Sequence, residues 1–225
     1  FIVVGEQSFN KVAIAHKGVM RATVHAKGKS VHATNPDRGI NAITAMAKAV
    51  LALQDYHQQL AQRSHPMVGV PTCNVGVISG GSTANAVPDS CTVKLDRRMI
   101  PREDPEAVKA ELRQVIESVD AGEATLTMDD FLFSSWFDST ANSPLAQTFL
   151  RCVETELGED PGPVGYLPGS DAKHLLSLMR GEMIIFGPGS YEVAHAFDEH
   201  VNINDLQATT TILLDFVKQT LLKNT

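Results

Sequence analysis

Along Val19 to Lys27 (VMRATVHAK), Ala22, Val24 and Ala26 fall on one face and charged residues cluster on the other. That period-two alternation predicts a half-buried strand. The period then changes. From Ile40 onward Ile43, Ala47, Val50, Leu51 and Leu53 recur at helical spacing, with Asn41 and Asp37 near the start as candidate caps. Thr72 to Ser79 (TCNVGVIS) reads as a strand ended by Gly80-Gly81-Ser82. Ser90 to Arg98 alternates Cys91, Val93 and Leu95 against Thr92, Lys94 and Asp96, which is another strand. Val108, Leu112, Val115, Ile116 and Val119 trace a second amphipathic helix, and Ala124 to Met128 a short strand.

Residues ~19–130 therefore read β-α-β-β-α-β, with boundaries good to a few residues. This order predicts a ferredoxin-like unit, two helices on one face of a four-stranded antiparallel sheet. The flanks carry their own signals. Phe1 to Val4 reads as a buried strand already under way, so the chain is expected to be the interior of a longer protein. Ser143-Pro144 opens a helix as cap and first-turn proline. Met183 to Phe186 reads as a strand, and a last helix starts at about Asn204. The expected fold class is α/β: a larger domain from 1–17 and 131–225, with 18–130 inserted as a smaller domain. No internal repeat or low-complexity tract is visible.

Composition narrows the partners. The 225 residues are 43% apolar and 20% charged, ordinary globular values that allow a sizeable core. The formal net charge is -7 and there is no basic run, which argues against nucleic acid or an anionic membrane as partner. No apolar stretch approaches the ~18 residues of a membrane span. Nor is there a charged leader or cleavage site. Cys73, Cys91 and Cys152 are odd in number, far apart and without a CxxC, which fits a reducing cytoplasm rather than a disulfide framework.

Candidate chemistry lies in the loops. His195 and His200 stand in YEVAHAFDEHV, five apart, with Asp198 and Glu199 between them. This is not HExxH, and the spacing reads equally as a solvated loop or as one ligand of a metal site completed from elsewhere. His32 in GKSVHATNP is either a space-filling turn histidine or a hydrogen-bond donor to developing negative charge. Asn85 either caps the turn Gly80 to Ser90 or binds a ligand. Arg98 is either a surface charge or a fork for a carboxylate. Ser170 caps a helix start in LPGSDAKHL, where Asp171 is also favourable and free N–H groups could meet an anion. A ferredoxin-like sheet could bind RNA, but stacking aromatics are missing and the charge is negative.

In combination these stretches are specific. GKSVHATNPDRGINA, NVGVISGGSTANAVPDSCTVKLDRR, PGSDAKH and FGPGSYEVAHAFDEHV, in that order, resemble the acetylornithine deacetylase, succinyl-diaminopimelate desuccinylase, aminoacylase and carboxypeptidase G superfamily. VPTCNVGVISGG with DRRMIP looks most like the deacetylase/desuccinylase branch.

The resemblance implies a cytoplasmic metal-dependent amidohydrolase of amino-acid metabolism. Its substrate would be an N-acyl amino acid or short peptide. Its cofactor would be two zinc ions (cobalt or manganese in some members), which lower the pKa of a bridging water and polarise the amide carbonyl. It implies a homodimer formed through the inserted domain, which also serves as a lid. By the same resemblance His195 is a metal ligand and His200 is not. His32 is the lid histidine that steadies the oxyanion in the partner subunit's site. Asn85 and Arg98 hold the substrate carboxylate, Arg98 being preferred to Arg97 because the pattern is Asp, any residue, Arg from Asp96. Gly169 and Ser170 anchor the same end by their backbone, and Lys17 is a weaker candidate for the far end. An HxD motif, a bridging aspartate and a Glu-Glu pair, which includes the general base, belong N-terminal to everything seen here. VVGEQS resembles a GEPT stretch with Gln7 in place of proline, and the next metal-ligand acid is expected just before Phe1. With one ligand of the set and no general base, these residues alone are expected to be inactive. The alternatives are a dipeptidase or carboxypeptidase of the same fold, or a non-catalytic dimerising or ligand-binding remnant.

Overall fold

The computed structural model describes residues 1–159, 162–175 and 182–222. The chain separates into two compact units, Phe1–Lys17 with Pro66–Val68 and Ser135–Thr225, and Gly18–His65 with Gly69–Ser134.

The second unit is built from β3 (Gly18–Lys27), α1 (Ala42–Gln59), β4 (Thr72–Gly80), β5 (Ser90–Met99), α2 (Pro105–Glu117) and β6 (Thr125–Ser134). Here β1 (Ile2–Val4) and β2 (Val12–His16) precede β3 in the chain. The strand order is β4-β5-β3-β6, antiparallel throughout. Alternation along β3 and β5 sends Met20, Ala22, Val24, Ala26, Cys91, Val93, Leu95 and Met99 into one core with both helices, and leaves the other face polar. Both helices are capped by side chains: Asn41 Oδ1 accepts from Ile43 and Thr44 N–H, and Asp104 Oδ1 from Glu106 N–H.

Two expectations need correction. The helix after Ile40 exists, but it buries Ala42, Ala45, Met46, Ala49, Leu53 and Tyr56. Ile43 and Leu51, read as its core face, are 41% and 60% exposed. The helix carries two apolar stripes, and the one with small residues lets its backbone approach the sheet. The last strand runs to Ser134, well beyond Met128, because a bulge at Asp129–Leu132, with Asp130 at φ 52°, re-registers the strand on β3 instead of ending it.

The first unit holds β1, β2, β7 (Phe137–Asp138), α3 (Pro144–Leu157), β8 (Pro163–Tyr166), α4 (Ala172–Leu175), β9 (Met183–Ile185) and α5 (Ile203–Leu221). Its sheet runs β1-β9-β2-β7, with β8 also paired to β2. β1 and β9 are parallel, as are β2 and β8, while β2 is antiparallel to β9 and β7. On one face Val12, Ile14, Ile184 and Phe186 meet Phe149, Val153, Ile212 and Phe216 of α3 and α5. On the other, Val4, Ala13 and Ile185 meet Phe137, Tyr166 and Ala172. With both faces covered, β2 is buried at every position. The sequence reading missed β2, β7 and β8, which are too short or too uniformly apolar to show a period. The leading strand is half-buried rather than buried, with only Val4 in the core.

Candidate functional site

In the second unit two loops meet. Ala33 N–H donates to Asn85 O (2.9 Å), Val87 N–H donates to Val31 O (2.8 Å), and His32 pairs antiparallel with Ala86. His32 and Asn85, 53 positions apart in sequence, are thereby held on adjoining rungs. Thr34 N–H donates to His32 Nδ1 (3.3 Å) and the Thr34 hydroxyl lies 3.0 Å from the same atom. A backbone amide can only donate, so Nδ1 is the acceptor and the neutral ring carries its proton on Nε2. The exposed imidazole therefore offers a donor outward. The Thr83 hydroxyl donates to Asn85 Oδ1 (2.6 Å), which orients the carboxamide and leaves its NH2 group as donor.

Arg97 and Arg98, adjacent on β5, go to opposite faces. Arg97 is fully buried on the core side. Its Nε donates to Tyr56 Oη (3.1 Å), its Nη2 to Glu103 Oε1 (2.7 Å) and its Nη1 to the carbonyl of Arg98. Tyr56 in turn donates to Glu111, and burial pushes its phenol up to about 12. Arg97 is thus committed to the interior. Arg98 lies on the open face, where its Nε donates to Asp96 Oδ1 (2.6 Å).

In the first unit, His195 sits in an exposed loop after β9 with φ 63°, a left-handed conformation that costs a non-glycine residue about 1 kcal/mol or more. Glu199 holds it there, as its Oε2 accepts the His195 N–H (2.9 Å) and its Oε1 accepts from Gln7 Nε2 (3.2 Å). Ser8 pairs with Ser190, and a Cβ on Gly187 would stand 2.4 Å from Glu6 O. Only glycine lets the GPGS turn lie against residues 6–8. The histidine loop is therefore seated on the stretch that leaves β1, beyond the carboxyl ends of the parallel pair β1 and β9, where α/β sheets place ligands.

The same stretch receives the predicted anchor. Glu6 is half-buried, and the Asp171 N–H favours its charged form. Burial pushes the Glu6 carboxyl up against that effect, the Asp171 charge pushes it further, and Lys173 counteracts. Ser170 is buried and its Oγ accepts the Ala172 N–H (3.2 Å). Gly169 is open, and only Lys173 Nζ comes as near as 4.0 Å to the place of a Cβ. Ser8, Lys11, Tyr166, Tyr191 and Glu192 line a nearby cleft of about 320 Å³. Burial raises the Tyr166 phenol to about 12, helped by the charge of Glu6.

Glu6 is the residue the sequence reading passed over. Its sequence signal is an acid just after a strand end, in VVGEQS. His200 is occupied locally, its Nδ1 lying 2.6 Å from the Asp198 carbonyl. Among the described residues, the group spaced to hold a cation is His25, Asp129 and Asp130, on the open face of the other sheet and already joined by a His25–Asp129 pair at 2.8 Å. It includes none of the residues that the motifs single out.

Comparison with known proteins agrees with these motifs. Residues 14–123 match the peptidase dimerisation domain of the M20 family. The chain is 30% identical over 220 residues to an acetylornithine deacetylase of Edwardsiella ictaluri, covering 96% of this chain and 55% of that protein. It is 28% identical over 225 residues to a probable succinyl-diaminopimelate desuccinylase of Staphylococcus epidermidis, covering 89% and 55%. The chain thus spans about half the length of the curated relatives it matches. In fold it is similar to the Bacillus subtilis YxeP protein, described as a dinuclear metal-binding peptidase of the M20 family, with TM-score 0.67, 16% identity, and coverage of 98% of this chain and 57% of that one. Residues 14–123 thus match the M20 peptidase dimerisation domain, and the curated relatives carry the names of the deacetylases and desuccinylases that the four motifs resemble.

Proposed function

We propose that this chain serves a metal-dependent amidohydrolase that cleaves the amide bond of an N-acyl amino acid, of the deacetylase or desuccinylase type. The observation that carries the reading is the backbone pairing of residues 31–33 with 85–87, two loops that present an exposed imidazole Nε2–H at His32 and an exposed carboxamide NH2 at Asn85. An N–H donor of fixed tautomer suits the oxyanion that forms when an amide carbonyl is attacked. The carboxamide of Asn85 and the guanidinium of Arg98 suit the substrate carboxylate, and the backbone of exposed Gly169 and buried Ser170 would serve as a further substrate anchor. Residues 18–130 would serve as lid and dimerisation domain, and 1–17 with 131–225 as part of the catalytic domain. Val77 and Ile78, 53% and 58% exposed on the edge strand β4, fit a homodimer through the inserted unit.

Two side chains of the first unit are of the donor types a metal takes. His195 offers an exposed imidazole whose ring makes no hydrogen bond among the described residues, and Glu6 a half-buried carboxylate beside the same loop. Nitrogen and oxygen donors of this kind suit two zinc ions, with cobalt or manganese as alternatives. When bound, the metals would supply an activated water and polarise the carbonyl. The remaining ligands and the general base would come from outside the 225 residues. Residues of this chain would bind the carboxylate, orient the amide and donate to the oxyanion.

The test is metal content, together with hydrolysis of N-acetyl and N-succinyl amino acids and dipeptides, in the protein that contains this chain. Zinc with turnover of an N-acyl amino acid is expected. His195→Ala should lower bound metal as well as rate, and His32→Ala should cost about 10²-fold in kcat with folding intact. Protein that binds no metal and hydrolyses none of these would overturn the reading in favour of a binding remnant. Mixing His32 and His195 variants should restore some activity if the lid acts in trans.

A further inference from the structure

Asp96 is the centre of a three-residue arrangement on the open face of the sheet. Its Oδ1 accepts from Arg98 Nε at 2.6 Å and its Oδ2 from Arg21 Nε at 3.0 Å. Arg21 is its direct cross-strand partner on β3, and Arg98 lies two positions on along β5, on the same face. Among the described residues neither guanidinium makes a second hydrogen bond. Each is held by its single Nε–H and keeps its outer pair of Nη groups, the edge that grips a carboxylate bidentately.

We propose that Asp96 is the positioning residue for Arg98, and that Arg21 offsets the Asp96 charge so that the fork stays net positive toward an incoming carboxylate. The inference rests on the reading of Arg98 as the carboxylate grip. Stability does not explain the arrangement: the side chains of Arg21, Arg98 and Asp96 are 60%, 38% and 26% exposed, and ion pairs of that exposure contribute about 0–1 kcal/mol. Orientation does explain it. A free arginine loses rotamer freedom when it grips a ligand, and a bond at Nε removes that freedom beforehand. The bond has an electrostatic drawback, because a lone carboxylate beside Arg98 would cancel its charge. Two guanidinium groups around one carboxylate leave one positive charge. Arg97 completes the frame from the core, since its Nη1 holds the carbonyl of Arg98.

The experiment is steady-state kinetics in the active, metal-loaded protein that contains this chain, with a substrate and its carboxamide analogue. Arg98→Ala should raise KM about 10-fold or more for the carboxylate, with kcat little changed, as for loss of uniform binding. Asp96→Ala should raise KM for the carboxylate about 3- to 10-fold and leave the carboxamide unaffected, while Asp96→Asn, which keeps an acceptor for Nε, recovers most of the loss. Arg21→Ala should raise KM a few-fold alone and have no effect in the Asp96→Asn background, a coupling that a merely structural role would not produce. Melting temperatures should stay unchanged. If Arg98→Ala acts but Asp96→Ala does not, the positioning claim is overturned and the grip survives. If Arg98→Ala itself is without effect, the underlying reading of Arg98 is overturned.

Discussion

The two faces of β5 put adjacent arginines to opposite use. On the core face Arg97 spends donors from all three nitrogens on Tyr56, Glu103 and the Arg98 carbonyl, and no solvent reaches it. On the open face Arg98 makes one bond, to Asp96, and keeps the rest. The chemistry is identical and the chain positions are consecutive. What differs is satisfaction. A saturated, desolvated guanidinium is part of the scaffold, and a tethered, half-exposed one is available to a ligand.

Removing Arg97 is expected to have the largest effect. Arg97→Ala leaves Glu103, with a side chain only 10% exposed, short of its closest partner, and should cost roughly 3 kcal/mol of stability by denaturant unfolding. Arg98→Ala should cost less than about 0.5 kcal/mol in the same assay and act on substrate affinity instead. If Arg98→Ala proved as destabilising as Arg97→Ala, the distinction between the faces would collapse.

Alkali offers a milder probe. The Tyr56 phenol is raised by burial to about 12, so the unfolded chain loses this proton first as pH rises. Stability should be intact below pH ~10 and fall progressively between pH ~10 and 12, and Tyr56→Phe should flatten that slope in melts followed by circular dichroism. The smallest effect concerns Cys73, opposite Arg97 in the register, whose thiol burial raises to about 11. It should resist alkylation at pH 8 in the native protein and react once denatured. Rapid native labelling would mean that the core face is open to solvent.

Much of the second unit was legible because its periods are clean. Cys91, Val93 and Leu95 alternate without interruption, and Val108, Leu112 and Ile116 repeat at helical spacing. In α1 the periodicity gave a helix but not its face, since Ile43 and Leu51 carry as apolar a signal as Ala45 and Met46. Hydrophobicity reports that a stripe exists. Which stripe is buried depends on how closely the backbone must approach the sheet.

The sequence by itself determined the order of elements in the inserted unit, the placing of His32, Asn85 and His195 in loops, and the superfamily that the motifs resemble, because local periods and motifs are properties of neighbouring residues. Tertiary structure alone decided that residues 31–33 pair with 85–87, that Glu6 lies against the GPGS turn and the Asp171 amide, and that Asp96 serves two arginines at once. Each of these joins residues far apart in the chain, where only backbone pairing and packing fix the distance.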